Sequence, residues 1–177
     1  MIEADSPWDV LSDLAAAQTQ AGLFEEALQT ALRIGFPLRR SEALVSIANA
    51  QARACDIEGS RSTFAEACKA VEKIDDPNSL GRALTPYSRS QALGHIAIGQ
   101  AQASRFAEAY ETAMSINELC RRADVLSKIA TQQAERGEIE GARLVFAEAV
   151  STAKAVDSKY KSAGLLRTIA SAESQDE

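Results

Sequence analysis

The sequence predicts an all-α protein built from four helical hairpins. Its 177 residues include 34 alanines but only nine glycines and four prolines, and aromatic residues make up 5%. Alanine favours helices, whereas β-branched and aromatic residues favour strands, so this composition is typical of a helical chain. A short apolar phrase also recurs along the chain and divides it into repeats. Together these observations predict a single repeat domain over residues 1–177.

The phrase is an aliphatic residue, a second one three positions later, alanine directly after it, and glutamine three positions further on. We count positions from the first aliphatic residue, the anchor, so the phrase occupies 0, +3, +4 and +7. The four complete copies have their anchors at Leu11, Leu44, Leu93 and Leu126, and a partial copy begins at Leu166. The anchors are 33, 49, 33 and 40 residues apart, so short and long repeats alternate.

Further apolar positions follow each phrase at +13, +16, +20 and +23. With the phrase they give two stretches of amphipathic helix, so each repeat is predicted to be a helical hairpin. We place the hairpins at about residues 8–40, 41–76, 86–120 and 123–157, an insertion at about 77–85, and a capping helix at about 159–174. The first two repeats match the next two at an offset of 82 residues, which indicates that a block of two hairpins was duplicated.

The residue at +11 is expected to close the first helix of each hairpin. Gly22 and Gly137 suit the left-handed conformation found there, and Cys55 and Ser104 take the same place less comfortably. Asp56 can then cap the second helix of the second hairpin. The sequence therefore predicts a tight turn at one register in all four repeats.

Charge and cysteine content limit the function. The 25 acidic residues outnumber 19 lysines and arginines, giving a net charge of −6, which disfavours a nucleic acid as partner. Cys55, Cys68 and Cys120 form no C-x-x-C motif, so we expect neither a disulfide framework, nor a metal site, nor a cofactor. No export signal and no run of about 18 apolar residues is visible, so we expect no membrane association. Reduced thiols in a cytoplasmic protein fit best.

The repeat resembles the tetratricopeptide (TPR) repeat. That family has Trp, Leu, Gly and Tyr at 0, +3, +4 and +7, where this chain has Leu, Leu or Ile, Ala and Gln. In the fourth repeat Ala142, Phe146 and Ala149 occupy later positions of the family pattern, and the likeness covers about residues 8–174. The resemblance implies a right-handed α-solenoid of four antiparallel hairpins plus a C-terminal capping helix. Its first helices would line a concave groove that binds peptides or partner helices.

In the geometry implied by the resemblance, positions +1, +5 and +8 line the groove. The residues expected to contact a partner, with two neighbours of these positions, are Ser12, Ala16, Thr19, Val45, Asn49, Arg53, Gly94, Ile98, Ser127, Lys128 and Thr131. These side chains are mostly small and uncharged. The groove would therefore suit an apolar helix, an extended segment or another copy of the chain.

Other features leave alternatives open. The glutamines at +7 either form a polar ladder that contacts a peptide backbone or satisfy buried groups at helix ends. His95 lacks a recognisable nucleophile and carboxylate, so we expect an ordinary surface or groove histidine. The arginine pairs at 39–40 and 121–122 are expected in turns between hairpins, where they either bind an anion or lie near helix C-termini. The cysteines are expected at core-like helix and turn positions, with a redox role as the alternative.

The sequence thus predicts an adaptor or scaffold that binds a protein or peptide, whose identity it does not give. An enzyme is not expected, because the chain has no Gly-rich phosphate loop and no visible cluster of catalytic acids. Two alternatives remain: a self-assembly module that forms homo-oligomers, and an RNA-binding helical repeat.

Overall fold

The structure, a computed structural model, describes residues 7–72, 86–156 and 167. The predicted insertion and, apart from residue 167, the predicted capping helix lie outside these residues. The described residues form helices and no strand, which confirms the all-α prediction. The helices are α1 (Pro7–Gln20), α2 (Phe24–Leu32), α3 (Pro37–Arg53), α4 (Ile57–Glu72), α5 (Pro86–Gln102), α6 (Phe106–Met114), α7 (Leu119–Glu135) and α8 (Ile139–Lys154).

The helix lengths repeat with the duplicated block. The second helices of the hairpins alternate between nine residues in α2 and α6 and 16 residues in α4 and α8. The first helices α3, α5 and α7 have 17 residues each. Short and long second helices therefore follow the alternating spacing of the anchors.

Two hairpins begin earlier than the sequence indicates. Helix α3 starts at Pro37 and α7 starts at Leu119, each four residues before the predicted boundary at 41 or 123. Proline suits the first turn of a helix because its φ is already helical and its missing N–H would have no helical partner there. Both arginine pairs therefore lie in the first turns of helices, and their prediction in turns between hairpins is wrong.

The turn inside each hairpin has the predicted left-handed residue. Gly22, Cys55, Ser104 and Gly137 have φ values of 76°, 63°, 61° and 82°. In every turn the next backbone N–H donates to the carbonyl of the +7 glutamine, as in a Schellman motif. These bonds run from Leu23, Asp56, Arg105 and Glu138 to Gln18, Gln51, Gln100 and Gln133, at 2.9, 2.9, 2.8 and 2.9 Å.

The core follows the predicted stripe except at three exposed residues. The anchors Leu44, Leu93 and Leu126 are buried, and so are all four +4 alanines. Leu14, at +3 of the first repeat, is exposed. The +13 residues Ile57 and Ile139 are also exposed, because they begin α4 and α8 while phenylalanines at +20 of the same repeats fill the core. The prediction that +13 is always buried is therefore wrong for the second and fourth repeats.

The hairpins contact one another in chain order. Each of α3 and α5 packs on its own second helix, on the next first helix and on the preceding second helix; α7 packs on α8, α5 and α6. Small residues permit the first helices to approach closely. A Cβ at Gly99 would lie 2.6 Å from Val45 Cγ1, and one at Gly94 would lie 3.2 Å from Val125 Cγ2.

The +7 glutamine of the second hairpin is part of the hairpin's own structure. Gln51 Nε2 donates to Asp56 Oδ2 at 3.1 Å, and Gln51 Oε1 accepts from the buried hydroxyl of Thr63 at 2.8 Å. Asp56 Oδ1 accepts from the backbone N–H of Gly59 at 2.9 Å, which confirms Asp56 as the cap of α4. Gln51 thus links α3 to the turn and to α4, and satisfies a buried group rather than contacting a ligand.

The other +7 glutamines lack this arrangement. Gln100 and Gln133 are also buried, so a ladder open to a peptide is the wrong interpretation for them as well. Their Oε1 atoms, and that of Gln18, have no hydrogen-bond partner within the described part of the chain. In the fourth repeat Val145 stands at +19, the position that Thr63 has in the second repeat.

This difference gives a matched pair of substitutions. Gln51→Leu should destabilise the fold by about 1–3 kcal/mol, because it leaves the buried Thr63 hydroxyl without an acceptor. Gln133→Leu should have a smaller effect, because no hydroxyl faces it from the corresponding position. Urea denaturation followed by circular dichroism measures both. Equal losses of stability would show that the hydrogen bond to Thr63 does not stabilise the hairpin.

Candidate functional site: the exposed face of the first helices

The first helices, α1, α3, α5 and α7, share one stripe that neighbouring helices leave open. Helical periodicity places positions −2, +2, +5 and +9 on this stripe. All of these residues are exposed or half-buried. We call the stripe the first-helix face; it comprises Asp9, Asp13, Ala16, Gln20, Glu42, Ser46, Asn49, Arg53, Gln91, His95, Ile98, Gln102, Asp124, Lys128, Thr131 and Glu135.

The predicted groove residues at +1 do not form this face. Gly94 and Ser127 are buried, so their prediction as partner-binding residues is wrong. Gly94 lies where α5 approaches α7, and the Ser127 hydroxyl donates to the carbonyl of Asp124 at 2.9 Å. Val45 is half-buried and lies against Gly99 of the next first helix. Close packing therefore removes position +1 from the surface in α5 and α7, whereas Ser12 of α1 stays half-buried.

The remaining predicted groove residues keep some exposure. Ala16, Arg53 and Lys128 are exposed, and the half-buried residues are Ser12, Thr19, Asn49, Ile98 and Thr131. Several have partners nearby: Asn49 Nδ2 donates to Gln102 Oε1 at 3.3 Å, and Lys128 Nζ pairs with Asp124 Oδ2 at 2.9 Å. The structure thus brings most of the predicted residues to one face, but adds charged neighbours that the sequence analysis did not include.

A shallow pocket of about 300 Å³ lies on this face between α1 and α3. Three carboxylates, from Asp9, Asp13 and Glu42, and the guanidinium of Arg39 line it. The other lining residues have small or hydroxyl-bearing side chains: Ser12, Ala16, Thr19, Ala43 and Ser46. The excess of carboxylates and hydroxyls suits a cationic or hydrogen-bond-donating group of a ligand.

Glu42 connects this pocket to the next first helix. Its Oε2 lies 3.3 Å from Arg39 Nη1 within α3, and its Oε1 lies 3.6 Å from Nδ1 of His95 on α5. The His95 side chain lowers the pKa of the Glu42 carboxyl, and Arg39 adds to this, while partial burial of the carboxyl opposes the shift. A carboxylate, an imidazole and a guanidinium from two helices therefore form one polar cluster.

The sequence analysis did not connect His95 with an acidic partner. Glu42 precedes His95 by 53 residues, and nothing in the intervening sequence shows that the two meet. Their registers were the available signal, because Glu42 stands at −2 and His95 at +2 on consecutive first helices. These registers identify the pair only when one knows how far α5 is shifted along α3, and the structure provides that distance.

The side chain of the second arginine of each pair bonds to a backbone carbonyl just after the second helix of the preceding hairpin. Arg40 Nε donates to the carbonyl of Ile34 at 2.7 Å, and Arg122 Nε donates to that of Ile116 at 2.8 Å. These carbonyls follow α2 and α6 in equivalent places. The interpretation of these two arginines as cations at helix C-termini is confirmed, whereas Arg39 instead contributes to the pocket.

The three cysteines are free thiols that differ in exposure. Cys55 is exposed in its turn, which contradicts the core-like position expected for it, and Cys68 and Cys120 are half-buried free thiols. Burial raises the pKa of the Cys68 thiol, with a smaller effect from Glu72. The described residues contain no group of three or more His, Cys, Asp or Glu side chains that could hold a metal ion. Within the same residues, no helix has the length and hydropathy required to span a bilayer.

The Glu42 cluster predicts a pH-dependent contribution to stability. A carboxyl whose pKa is lowered by folding stabilises the fold above its ordinary pKa, and this contribution is lost as the pH falls through the lowered value. Glu42→Gln should therefore be less stable than the wild type at pH 7, by about 0.2–1 kcal/mol. The difference should disappear below the lowered pKa, in urea denaturation measured over a pH series.

The control is Glu111→Gln, which alters an exposed glutamate on α6 away from the cluster. It should reproduce the wild-type dependence of stability on pH. Parallel curves for the wild type and Glu42→Gln through the acid range would mean that the cluster contributes nothing to folding.

Comparison with known proteins does not assign the chain to a family. Protein-family models, curated proteins and solved structures were compared with it, and none matches. The function is therefore argued from the contacts, exposure and charge of the chain's own surfaces.

Proposed function

We propose that the chain is a TPR-like scaffold without catalytic activity, which binds a protein or peptide along the first-helix face. One observation carries this proposal: consecutive first helices pack side by side, so exposed side chains from all four of them share one stripe. Such a surface is longer than any one helix can offer. It suits an extended ligand that contacts several repeats at once.

The internal repeat supports a right-handed α-solenoid. The four hairpins have the same type of internal turn and a buried alanine at the same register. Each hairpin also packs on its neighbours in the chain, in the same order of contacts. This is the nearest-neighbour pattern that repeat architectures require. The proposal goes beyond these contacts in two respects: the stack is right-handed, and its first helices line a concave inner surface.

The chemistry of the face favours a polar extended peptide over an apolar helix. Carboxylates, hydroxyls and amides dominate it, and Ile98 is its single large aliphatic residue. Asn49 and Gln102 place two side-chain amides side by side between α3 and α5, where they can bond to a peptide backbone. Three free thiols support a cytoplasmic location, because thiols stay reduced there.

A pair of exposed serines tests this proposal. Ser46 lies on the first-helix face and lines the pocket, whereas Ser62 is exposed on α4, a second helix. A ligand can be selected from a random peptide library and its affinity measured by fluorescence anisotropy. Ser46→Arg should weaken binding by about tenfold or more because it fills the pocket, and Ser62→Arg should leave binding unchanged.

The outcomes separate the proposal from its alternatives. Failure to select any peptide, or binding that Ser62→Arg weakens as strongly as Ser46→Arg, would contradict a ligand on this face. Sedimentation of the unliganded chain tests the self-assembly alternative, and a dimer abolished by Ser46→Arg would show that a second copy occupies the face. Circular dichroism of both variants confirms that the substitutions leave the fold intact.

A further inference from the structure

The first helix of the chain exposes Leu14, whose equivalent is buried in every later first helix. At +3, Leu14 is 47% exposed, whereas Ile47, Ile96 and Ile129 are at most 1% exposed. At −1, Val10 is 55% exposed, whereas the residues at this position in α5 and α7 are fully buried. The first repeat therefore has the aliphatic pattern of an internal repeat without its burial.

The difference follows from which helices pack on each first helix. The later first helices pack on both helices of the preceding hairpin: α3 on α1 and α2, α5 on α3 and α4, and α7 on α5 and α6. No helix in the described ranges takes that place on α1. We call the stripe formed by Val10, Leu14, Ala17 and Ala21 the α1 end face; all four residues are exposed and they recur at helical spacing.

The charge of the chain is concentrated at this end. Residues 1–32 contain six acids and no lysine, arginine or histidine, so they account for the whole net charge of −6. The other 19 acids are balanced by all 19 bases of residues 33–177. Among the acids of the first hairpin, Asp9, Asp13, Glu25 and Glu26 are exposed. Helices α1 and α2 contain no base, and an apolar stripe beside their acids selects against anionic membranes and nucleic acids, and against a second copy of the same hairpin.

We propose that the α1 end face docks an amphipathic helix of a partner protein, with aliphatic residues on one side and lysines or arginines along its edges. The partner helix would take the place on α1 that the preceding hairpin takes on the later first helices. Its aliphatic side would cover Val10 and Leu14, and its cations would face the acids of the first hairpin. Its apolar residues lie outside the first-helix face, although Asp9 and Asp13 belong to that face, so the variants Leu14→Arg and Ser46→Arg tell the two proposals apart.

A synthetic probe tests the chemistry of this surface. The probe is a peptide as long as α1, 14 residues, with leucines on one helical face and lysines along the edges. A matched peptide carries glutamate in place of every lysine. We expect the full chain to bind the cationic peptide, measured by fluorescence anisotropy, at least about tenfold more tightly than the anionic one, and the affinity to fall as salt is raised.

Two exposed leucines provide the variant and its control. Leu14→Arg should weaken binding of the cationic peptide by about tenfold or more. Leu144→Arg changes a leucine that is 74% exposed on α8, and it should leave the affinity for the peptide unchanged. A double change, Asp9→Asn with Asp13→Asn, keeps the apolar stripe and should reduce both the affinity and its salt dependence. Circular dichroism checks that each variant folds.

Three results would overturn the proposal. Tighter binding of the anionic peptide would contradict the charge argument. Binding that is unchanged by Leu14→Arg but lost in Ser46→Arg would move the peptide to the first-helix face. Self-association of the chain that Leu14→Arg abolishes, seen by sedimentation, would make a second copy the occupant.

Discussion

A single hairpin cannot cover both sides of its own first helix, and the rest of the structure depends on this constraint. The aliphatic residue at +3 is buried in α3, α5 and α7, each of which packs on both helices of the preceding hairpin. Alanine at +4 and glycine at the helix contacts let neighbouring helices approach closely enough to exclude water. The residues that remain exposed stand at the registers that no neighbouring helix reaches and, in α1, also on the side where no described helix packs. Both surfaces proposed to bind partners are consequences of the same stacking.

The duplication of a two-hairpin block also affects the site. At the junction of the two blocks, residues four positions apart in the repeat face each other: Glu42 at −2 meets His95 at +2, and Asn49 at +5 meets Gln102 at +9. Inside the second block the facing registers differ, because Gly94 at +1 of α5 approaches a valine at −1 of α7. The polar cluster on Glu42 therefore belongs to the block junction. A strictly regular repeat would not place these groups together.

Local features could be predicted from the sequence, whereas the displacement between helices could not. The left-handed turn residues follow from their register even at Cys55 and Ser104, where the conformation has a steric cost that glycine avoids. The predicted groove uses positions +1 and +8, whereas the exposed stripe uses +2 and +9. Gly94 and Ser127, at +1, were therefore included although they are buried. The same limitation hid the carboxylate beside His95, because a shift of one helix along another changes no local pattern of polar and apolar residues. Sequence periodicity gives the face of a helix that is buried, but not which residue of the next helix lies opposite.

Helix α1 contributes to both proposed surfaces, and this links them energetically. Asp9 and Asp13 line the pocket, while Val10 and Leu14 form the uncovered side of the same helix. Ala15 is the one residue of α1 that is fully buried, so this helix is held by fewer buried groups than α3 or α7. In a stack whose stability is a sum of hairpin and interface contributions, a hairpin that packs on one neighbour, as this one does among the described residues, opens most readily. A ligand that covers the α1 end face would add a second interface and hold the pocket side of α1 in place. Because such coupling is reciprocal, a ligand in the pocket would strengthen docking at the α1 end face by the same factor.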